Sequence, residues 1–121
     1  MSEDIRLALV ESVFADIIWE NEPISSGELV KICEEKLNWK KSTTYTVLRK
    51  LCSRGIFQNK DGKVTSILSK SQFQAIQSEQ FVSETFAGSL PAFIAAFTSS
   101  KKLSKKEIEE IHQMIDASTE E

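Results

Sequence analysis

The stretch WKKSTTYTVLRKLCSRG, residues 39–55, combines a helical spacing of core-type side chains with a high density of cations and hydroxyls. The positions expected to face inward are Thr44, Val47, Leu48 and Leu51. Gly55 follows them where a glycine commonly ends a helix, so the pattern predicts a helix from about Lys41 to Ser53. The other side of this helix carries Ser42, Thr43, Thr46, Arg49 and Lys50.

Charge is distributed unevenly along the chain. The formal net charge over all 121 residues is -3, yet residues 36–63 carry eight basic side chains against the one acid Asp61. Residues 1–35 carry nine acids against two bases. A concentrated cationic segment in an otherwise acidic chain is the electrostatic pattern expected of a polyanion-binding protein.

Two further helices are predicted upstream of this segment. Apolar residues recur at helical spacing from Ile5 to Trp19, and Pro23 cannot continue that helix. Ser25 and Glu28 have the spacing of a capping box, which predicts the start of a second helix.

A β-hairpin is predicted downstream. Ile56 and Phe57 begin a strand, Asp61-Gly62 is typical of a tight hairpin turn, and residues 64–68 supply the returning strand. Three helices followed by a two-stranded hairpin form the winged helix-turn-helix plan, in which the third helix enters the DNA major groove. We therefore expect a mainly α protein with a winged-helix domain over residues 1–70.

Side chains on the third helix and the hairpin are the candidates for contact with double-stranded DNA. They are Lys41, Ser42, Thr43, Tyr45, Thr46, Arg49, Lys50, Lys60 and Lys63. Hydroxyls and cations of this kind bond phosphates and base edges. The alternative for the helix alone is a solvated lysine-rich face. Tyr45 lies at the edge of the exposed arc, where its ring could meet DNA or cover a neighbouring helix.

Residues 71–121 predict three more helices with large apolar side chains on more than one side. So small a chain has little room to bury them, which favours a symmetric dimer. The dimerisation candidates are Phe81, Phe86, Phe93, Ile94, Phe97 and Ile111.

Other functional classes lack support in the sequence. No apolar run reaches the roughly 18 to 20 residues that span a bilayer, and the acidic start is unlike a signal peptide, so we expect a cytoplasmic protein without membrane insertion. His112 with Cys33 and Cys52 does not make a persuasive zinc site, and neither a metal nor a cofactor is expected. No phosphate loop or nucleophile with its base is visible, so an enzyme is not expected.

Two stretches, VFADIIW at 13–19 and EPISSGELVKICEEKLNWKKSTTYTVLRKLCSRGIF at 22–57, resemble the penicillinase-repressor family of winged-helix transcriptional repressors, the BlaI/MecI/CopY group. Its members resemble one another in an N-terminal IIW, a W...T..T.L.RL..KG third helix and a helical C-terminal dimerisation region. The resemblance covers about residues 5–117 and is most specific between Ile17 and Phe57.

The resemblance implies a homodimer on a palindromic operator, with each third helix in a major groove and transcription blocked. By position it places two sets of residues at DNA: Ser42, Thr43, Thr46 and Lys50 on the third helix, and Lys60 and Lys63 in the wing. Arg49 occupies a position that is usually apolar in the family, which leaves its role open.

The sequence departs from this family in features of regulation. The β-lactam-sensing members resemble one another in an Asn-Phe bond that is cleaved to inactivate them, and the equivalent pair here is Ala96-Phe97. The resemblance implies a membrane sensor protease as a further partner and this pair as the position of regulatory cleavage, but the asparagine of the family's cleavage site is replaced here by Ala96. The copper-responsive members carry a C-terminal cysteine cluster, whereas this chain has no cysteine after Cys52.

The sequence therefore predicts a homodimeric, sequence-specific DNA-binding repressor. Two alternatives stay open. One is a winged-helix module that binds an acidic protein surface through its basic face. The other is a repressor relieved by a small molecule in a pocket among the last three helices.

Overall fold

The computed structural model describes residues 7–118. The elements in chain order are α1 Leu9–Asn21, β1 Ile24–Ser25, α2 Ser26–Leu37, α3 Lys41–Ser53, β2 Phe57–Lys60, β3 Lys63–Ser66, α4 Lys70–Thr85, α5 Leu90–Ser100 and α6 Lys105–Ala117. The described residues divide into two compact units, one up to Ser78 and one from Glu79, so the division falls within α4. We call them the N-terminal and the C-terminal unit. The predicted start of the first helix at Ile5 lies outside the described residues.

The N-terminal unit has the predicted winged helix-turn-helix fold. Its core draws side chains from α1, α2, α3, the connection before β2, the sheet and the first turn of α4: Phe14, Ala15, Ile17, Ile18, Ile24, Leu29, Cys33, Leu48, Leu51, Ile56, Phe57, Val64 and Phe73. Each helix contributes one apolar stripe, because residues three and four apart share a helix face.

The sheet has three antiparallel strands in the order β1-β3-β2: the predicted hairpin is confirmed as β2 and β3, and β1 is an additional strand that was not predicted. Ile24 pairs with Val64 and Ser25 with Lys63. A two-residue strand is too short to show an alternating pattern, so its pairing depends on tertiary contacts. The hairpin turn has the predicted form, with positive φ angles of 52° at Asp61 and 83° at Gly62.

Serine side chains cap the starts of α2 and α6, and the first of these is the predicted cap at Ser25. The Glu28 backbone N–H donates to Ser25 Oγ at the start of α2 (3.1 Å). At α6, the Ser104 side chain accepts from the Glu107 N–H while the Glu107 carboxylate accepts from the Ser104 N–H.

Trp19 joins three parts of the N-terminal unit. Its Nε1 donates to the carbonyl oxygen of Leu68 (3.0 Å), where the chain leaves the sheet. Its ring packs against Phe57 and Phe73, at centroid distances of 5.2 and 5.5 Å. The first turn of α4 is thereby fixed to the winged-helix core.

The C-terminal unit contains a chain of contacting phenylalanine rings. Phe81, Phe86 and Phe93 contact one another, and Phe97 contacts Phe93, with centroid distances between 5.6 and 6.3 Å. No residue of α5 or α6 is fully buried. Among residues 7–118 no single helix is long and apolar enough to cross a membrane. Within the same residues, only α4 and α5 taken together have that length and composition, and the pair is bent at the break between the two helices.

Candidate nucleic-acid interface

The exposed side of α3 consists of two adjacent rows of side chains. Ser42, Thr46, Arg49 and Ser53 recur at intervals of four, three and four residues and form the outward row. All four are exposed, and they lie opposite the buried Thr44, Leu48 and Leu51. Thr43, Val47 and Lys50 form a flanking row, in which Val47 is half-buried. The outward row is thus the part of α3 that points most directly away from the core.

Hydroxyls of the outward row donate their hydrogens within the helix. Thr46 Oγ1 donates to the carbonyl oxygen of Ser42 (2.9 Å), and Ser53 Oγ donates to that of Lys50 (2.8 Å). A hydroxyl has one hydrogen and two lone pairs, so the hydroxyl oxygens of Thr46 and Ser53 can still accept a hydrogen bond from a ligand in front of α3. Thr46 is therefore suited to accept from a base amino group or to place its methyl group against an apolar surface.

Lys50, in the flanking row, is held by an acid from α1. Its Nζ lies 2.6 Å from Glu11 Oε2, and the other carboxylate oxygen of Glu11 accepts from the Ala8 N–H (3.0 Å). The carboxylate is almost enclosed, with 11% of its side chain exposed, against 48% for Lys50. The Lys50 ammonium and the Ala8 N–H together hold the pKa of Glu11 below its usual range, with the positive charge of Arg54 nearby adding to the effect.

Tyr45 covers the neighbouring helix and does not project from α3. Its hydroxyl donates to Ser26 Oγ (3.1 Å), and its ring is half-buried against the core. The Ser26 N–H in turn donates to the carbonyl oxygen of Gly62 in the hairpin turn (2.8 Å). Ser26 therefore links the third helix and the wing through the start of α2.

The wing brings two like charges face to face. Lys60 and Lys63 are paired across β2 and β3, and both are exposed. Asn59 Oδ1 accepts from the Gly62 N–H (3.0 Å) and stabilises the turn between them. Like charges directly opposite on a sheet are destabilising by themselves, so this pair is favourable only beside negative charge.

An acid at the end of α1 holds the base of the wing. The Glu22 carboxylate accepts from both the backbone N–H and the hydroxyl of Ser66, at 2.8 to 2.9 Å. This contact fixes the last residue of β3 against α1.

The predicted DNA-contact residues on α3 and the wing are exposed, apart from the half-buried Tyr45. Sequence reasoning missed the residues that support them: Glu11, Glu22 and Ser26. A signal existed for Glu11, since it lies at helical spacing from Phe14, Ala15 and Ile18, among core residues. Ser26 and Glu22 have no comparable pattern in the sequence.

The predicted dimerisation residues lie within the C-terminal unit. Phe81 is 49% exposed, Ile94 40% and Phe97 44%, whereas Phe86, Phe93 and Ile111 are half-buried. Ala96 and Phe97 lie near the end of α5 and are exposed, with the bond between them inside the helix. The hydroxyls of Ser99 and Ser100 donate to the carbonyl oxygens of these two residues.

A cavity of about 200 Å³ lies on α6, lined by Glu107, Glu110, Ile111 and Met114. A cleft of about 190 Å³ lies between α1 and α4 of the N-terminal unit. Its lining residues are Leu7, Ser12, Asp16, Trp19, Lys70, Phe73, Gln74 and Gln77. Asp16 and Lys70 form an ion pair on its wall (2.9 Å). The volume is below the roughly 300 to 1,000 Å³ of most ligand pockets. Within residues 7–118 no group of three or more His, Cys, Asp or Glu could hold a metal ion.

The family model of the penicillinase repressor matches residues 7–117. The chain belongs to the penicillinase repressor family. The penicillinase repressor of Bacillus licheniformis is 26% identical over 104 residues, which is 83% of this chain and 81% of that protein. The methicillin resistance regulatory protein MecI of Staphylococcus aureus (strain Mu50 / ATCC 700699) is 24% identical over 115 residues, 92% of this chain and 94% of its own length. The MecI protein of Mammaliicoccus sciuri is 24% identical over 105 residues, 84% and 85% of the two chains.

The predicted family is confirmed by these matches, and with it a place among transcriptional repressors. The family and the relatives are named for regulation and not for catalysis.

Proposed function

We propose that the protein is a homodimeric repressor that binds a palindromic operator, with α3 of each protomer in a major groove and the wing on the adjacent backbone. The observation that carries this proposal is the joint placement of exposed hydroxyls and cations on α3 with the paired Lys60 and Lys63 of the wing. Ser26 connects the two elements, so they can approach one duplex together.

The cations supply affinity and the hydroxyls help to choose the sequence. Contact of Lys41, Lys60 and Lys63 with phosphates releases counterions, which makes binding fall steeply with salt. Phosphates also relieve the repulsion between the two wing lysines. Ser42, Thr43 and Thr46 contact base edges. Lys50, on the flank of α3, contacts the phosphate backbone of the DNA. Tyr45 supports α3 by its hydrogen bond to Ser26, and no more than the edge of its ring contacts the DNA.

The dimer forms through the C-terminal unit. Large apolar side chains there remain 40 to 64% exposed in the single chain: Phe81, Leu90, Ile94, Phe97, Ile108, Met114 and Ile115. An exposed apolar surface of this extent is typical of an interface. A closed symmetric dimer buries the same patch on both protomers and places two α3 helices on two half-sites.

Relief of repression is proposed to follow cleavage by a membrane sensor protease between Ala96 and Phe97. The residues are exposed, but the bond lies in α5, so the end of this helix must unwind before a protease can bind it in extended form. Incubation with the sensor followed by intact-mass analysis tests this step. Cleavage elsewhere, or none, contradicts it.

DNA binding is tested by titrating the intact protein against the DNA upstream of its own gene at two salt concentrations. We expect saturable binding of two protomers per site at low salt and a loss of affinity of roughly 10³ or more between 50 and 200 mM salt if six or more phosphates are contacted. Absence of saturable binding at low salt, together with capture of an acidic protein partner, would instead favour the interaction module.

A further inference from the structure

Arg49 is distinguished from the other cations of α3 by its row. Within this helix the cations are Lys41, Arg49 and Lys50. Lys41 is the first residue of the helix, and Lys50 belongs to the flanking row. Arg49 lies in the outward row between Thr46 and Ser53, one turn from each.

The two adjacent cations also differ in their partners. Lys50 Nζ is bound to a nearly enclosed carboxylate from α1, which fixes its position and neutralises much of its charge. Arg49 is exposed, and within residues 7–118 no side chain pairs with its guanidinium. Of these two cations, Arg49 therefore offers all its donors to a ligand in front of α3, whereas Lys50 does not.

On this basis, and resting on the proposed function, we infer that Arg49 is the residue of α3 that selects a guanine in each half-site, and that Glu11 keeps Lys50 from this role. The planar guanidinium matches the O6 and N7 acceptors of guanine in the major groove with two parallel hydrogen bonds. Glu11 acts through Lys50 and is a positioning residue.

The neighbouring Thr46 adds a second element of selection. With its hydrogen donated to Ser42, its hydroxyl accepts from the amino group of adenine or cytosine, and its methyl group fits against the thymine methyl. Residues three apart on a helix are about 5 to 6 Å apart at their Cβ atoms, which is compatible with neighbouring base pairs. The guanine bound by Arg49 is thus expected in the base pair next to the one that contacts Thr46.

The test is selection of binding sites from a pool of random double-stranded DNA by the intact protein and by three variants. Wild-type protein should select half-sites with one fixed guanine. Arg49→Ala should lose that preference, with roughly 5- to 150-fold weaker binding to the selected site and a smaller loss on unrelated DNA. Lys50→Gln should lower affinity about equally on all sequences and keep the guanine. Lys63→Ala, in the wing, is the matched control for a uniform loss.

A phosphate contact by Arg49 gives a different result. Arg49→Ala would then weaken binding to all sequences equally and reduce the salt slope by about one, as Lys63→Ala does, and the inference would be overturned. Loss of the guanine in Lys50→Gln but not in Arg49→Ala would overturn it as well. Thermal unfolding of each variant, and its binding to unrelated DNA at low salt, identify a folding defect. If Arg49→Ala has such a defect, Arg49→Lys replaces it. Arg49→Lys is expected to keep the salt slope and to weaken the preference for guanine. If the wild-type protein selects no site, the proposed function itself fails, whereas a selected site without a dependence on Arg49 overturns only this inference.

Discussion

Two phenylalanines eight residues apart on α4 lie in different surroundings. Phe73, in the N-terminal unit, is 4% exposed and contacts the ring of Trp19, whereas Phe81, in the C-terminal unit, is 49% exposed. The same contrast extends to the helices that follow: α1, α2 and α3 each bury part of one face, while no residue of α5 or α6 is buried. The N-terminal unit encloses a contiguous apolar core, whereas the C-terminal unit leaves seven of its large apolar side chains at least 40% exposed.

The largest expected effect concerns the core of the N-terminal unit. Phe57 is fully buried, so Phe57→Ala removes its contacts with Trp19 and leaves a cavity. We expect the free energy of unfolding to fall by about 3 to 5 kcal/mol, measured by denaturant titration. Phe97→Ala, in the C-terminal unit, is the control and should alter unfolding of the N-terminal unit little. Equal losses in both variants would remove the distinction between the two units.

A second prediction concerns the dimer. Phe97→Ala should weaken dimerisation by about 2 to 4 kcal/mol, because a central aromatic residue commonly contributes this much to an interface. Sedimentation over a range of protein concentrations measures the dimer dissociation constant. Ile67→Ala is the matched control, since Ile67 is 52% exposed but belongs to the N-terminal unit. Weakening by Ile67→Ala and not by Phe97→Ala would move the interface to the other unit.

A third prediction concerns Glu11, the acid of α1 that forms an ion pair with Lys50 of α3. The pKa of Glu11 is held low in the folded protein, chiefly by Lys50, so this carboxylate stabilises the fold above its ordinary pKa and the contribution is lost as the pH falls through the lowered value. Glu11→Gln should cost about 1 kcal/mol at pH 7, since Lys50 is partly solvated, and the difference from wild type should shrink in acid. Thermal unfolding at several pH values tests this; a difference that stays constant with pH would contradict it.

The smallest expected effect on stability is at the wing. Lys63→Ala removes one of two opposed cations, so stability should stay the same or rise by up to about 1 kcal/mol. Binding to all DNA should weaken about equally, with a salt slope shallower by about one. Lys105→Ala, on α6, is the charge-matched control and should leave the slope unchanged. A loss confined to the operator would show that Lys63 contacts bases.

Much of the N-terminal unit was predictable because its signals are local. The spacing of Thr44, Leu48 and Leu51 determines which side of α3 is buried, and Asp61-Gly62 permits the positive φ angles of the turn. Ser25 caps α2 through a residue only three positions away, and in the C-terminal unit Ser104 caps α6 in the same way. The short strand β1 escaped prediction because its partner, Val64, is forty residues away in the chain.

The roles of Arg49 and Lys50 show the limit of such patterns. The sequence predicts that both are exposed cations on α3, and the resemblance to the family favoured Lys50 as a residue that contacts DNA. The contact with Glu11 spans 39 positions, so no local spacing reveals it. The proposed site residues remain predictions about DNA, but the structure separates the two cations by row and by partner.

The sequence by itself determined the helices, the hairpin turn, the basic segment and the family, because these follow from spacing, turn chemistry and charge within short stretches. Only the tertiary structure decided that Tyr45 bonds to Ser26, that Glu11 engages Lys50 and that Phe73 is buried while Phe81 is not. The physical reason is that a side chain's partner depends on which elements pack beside it. Residues far apart in the chain meet only when the core has formed.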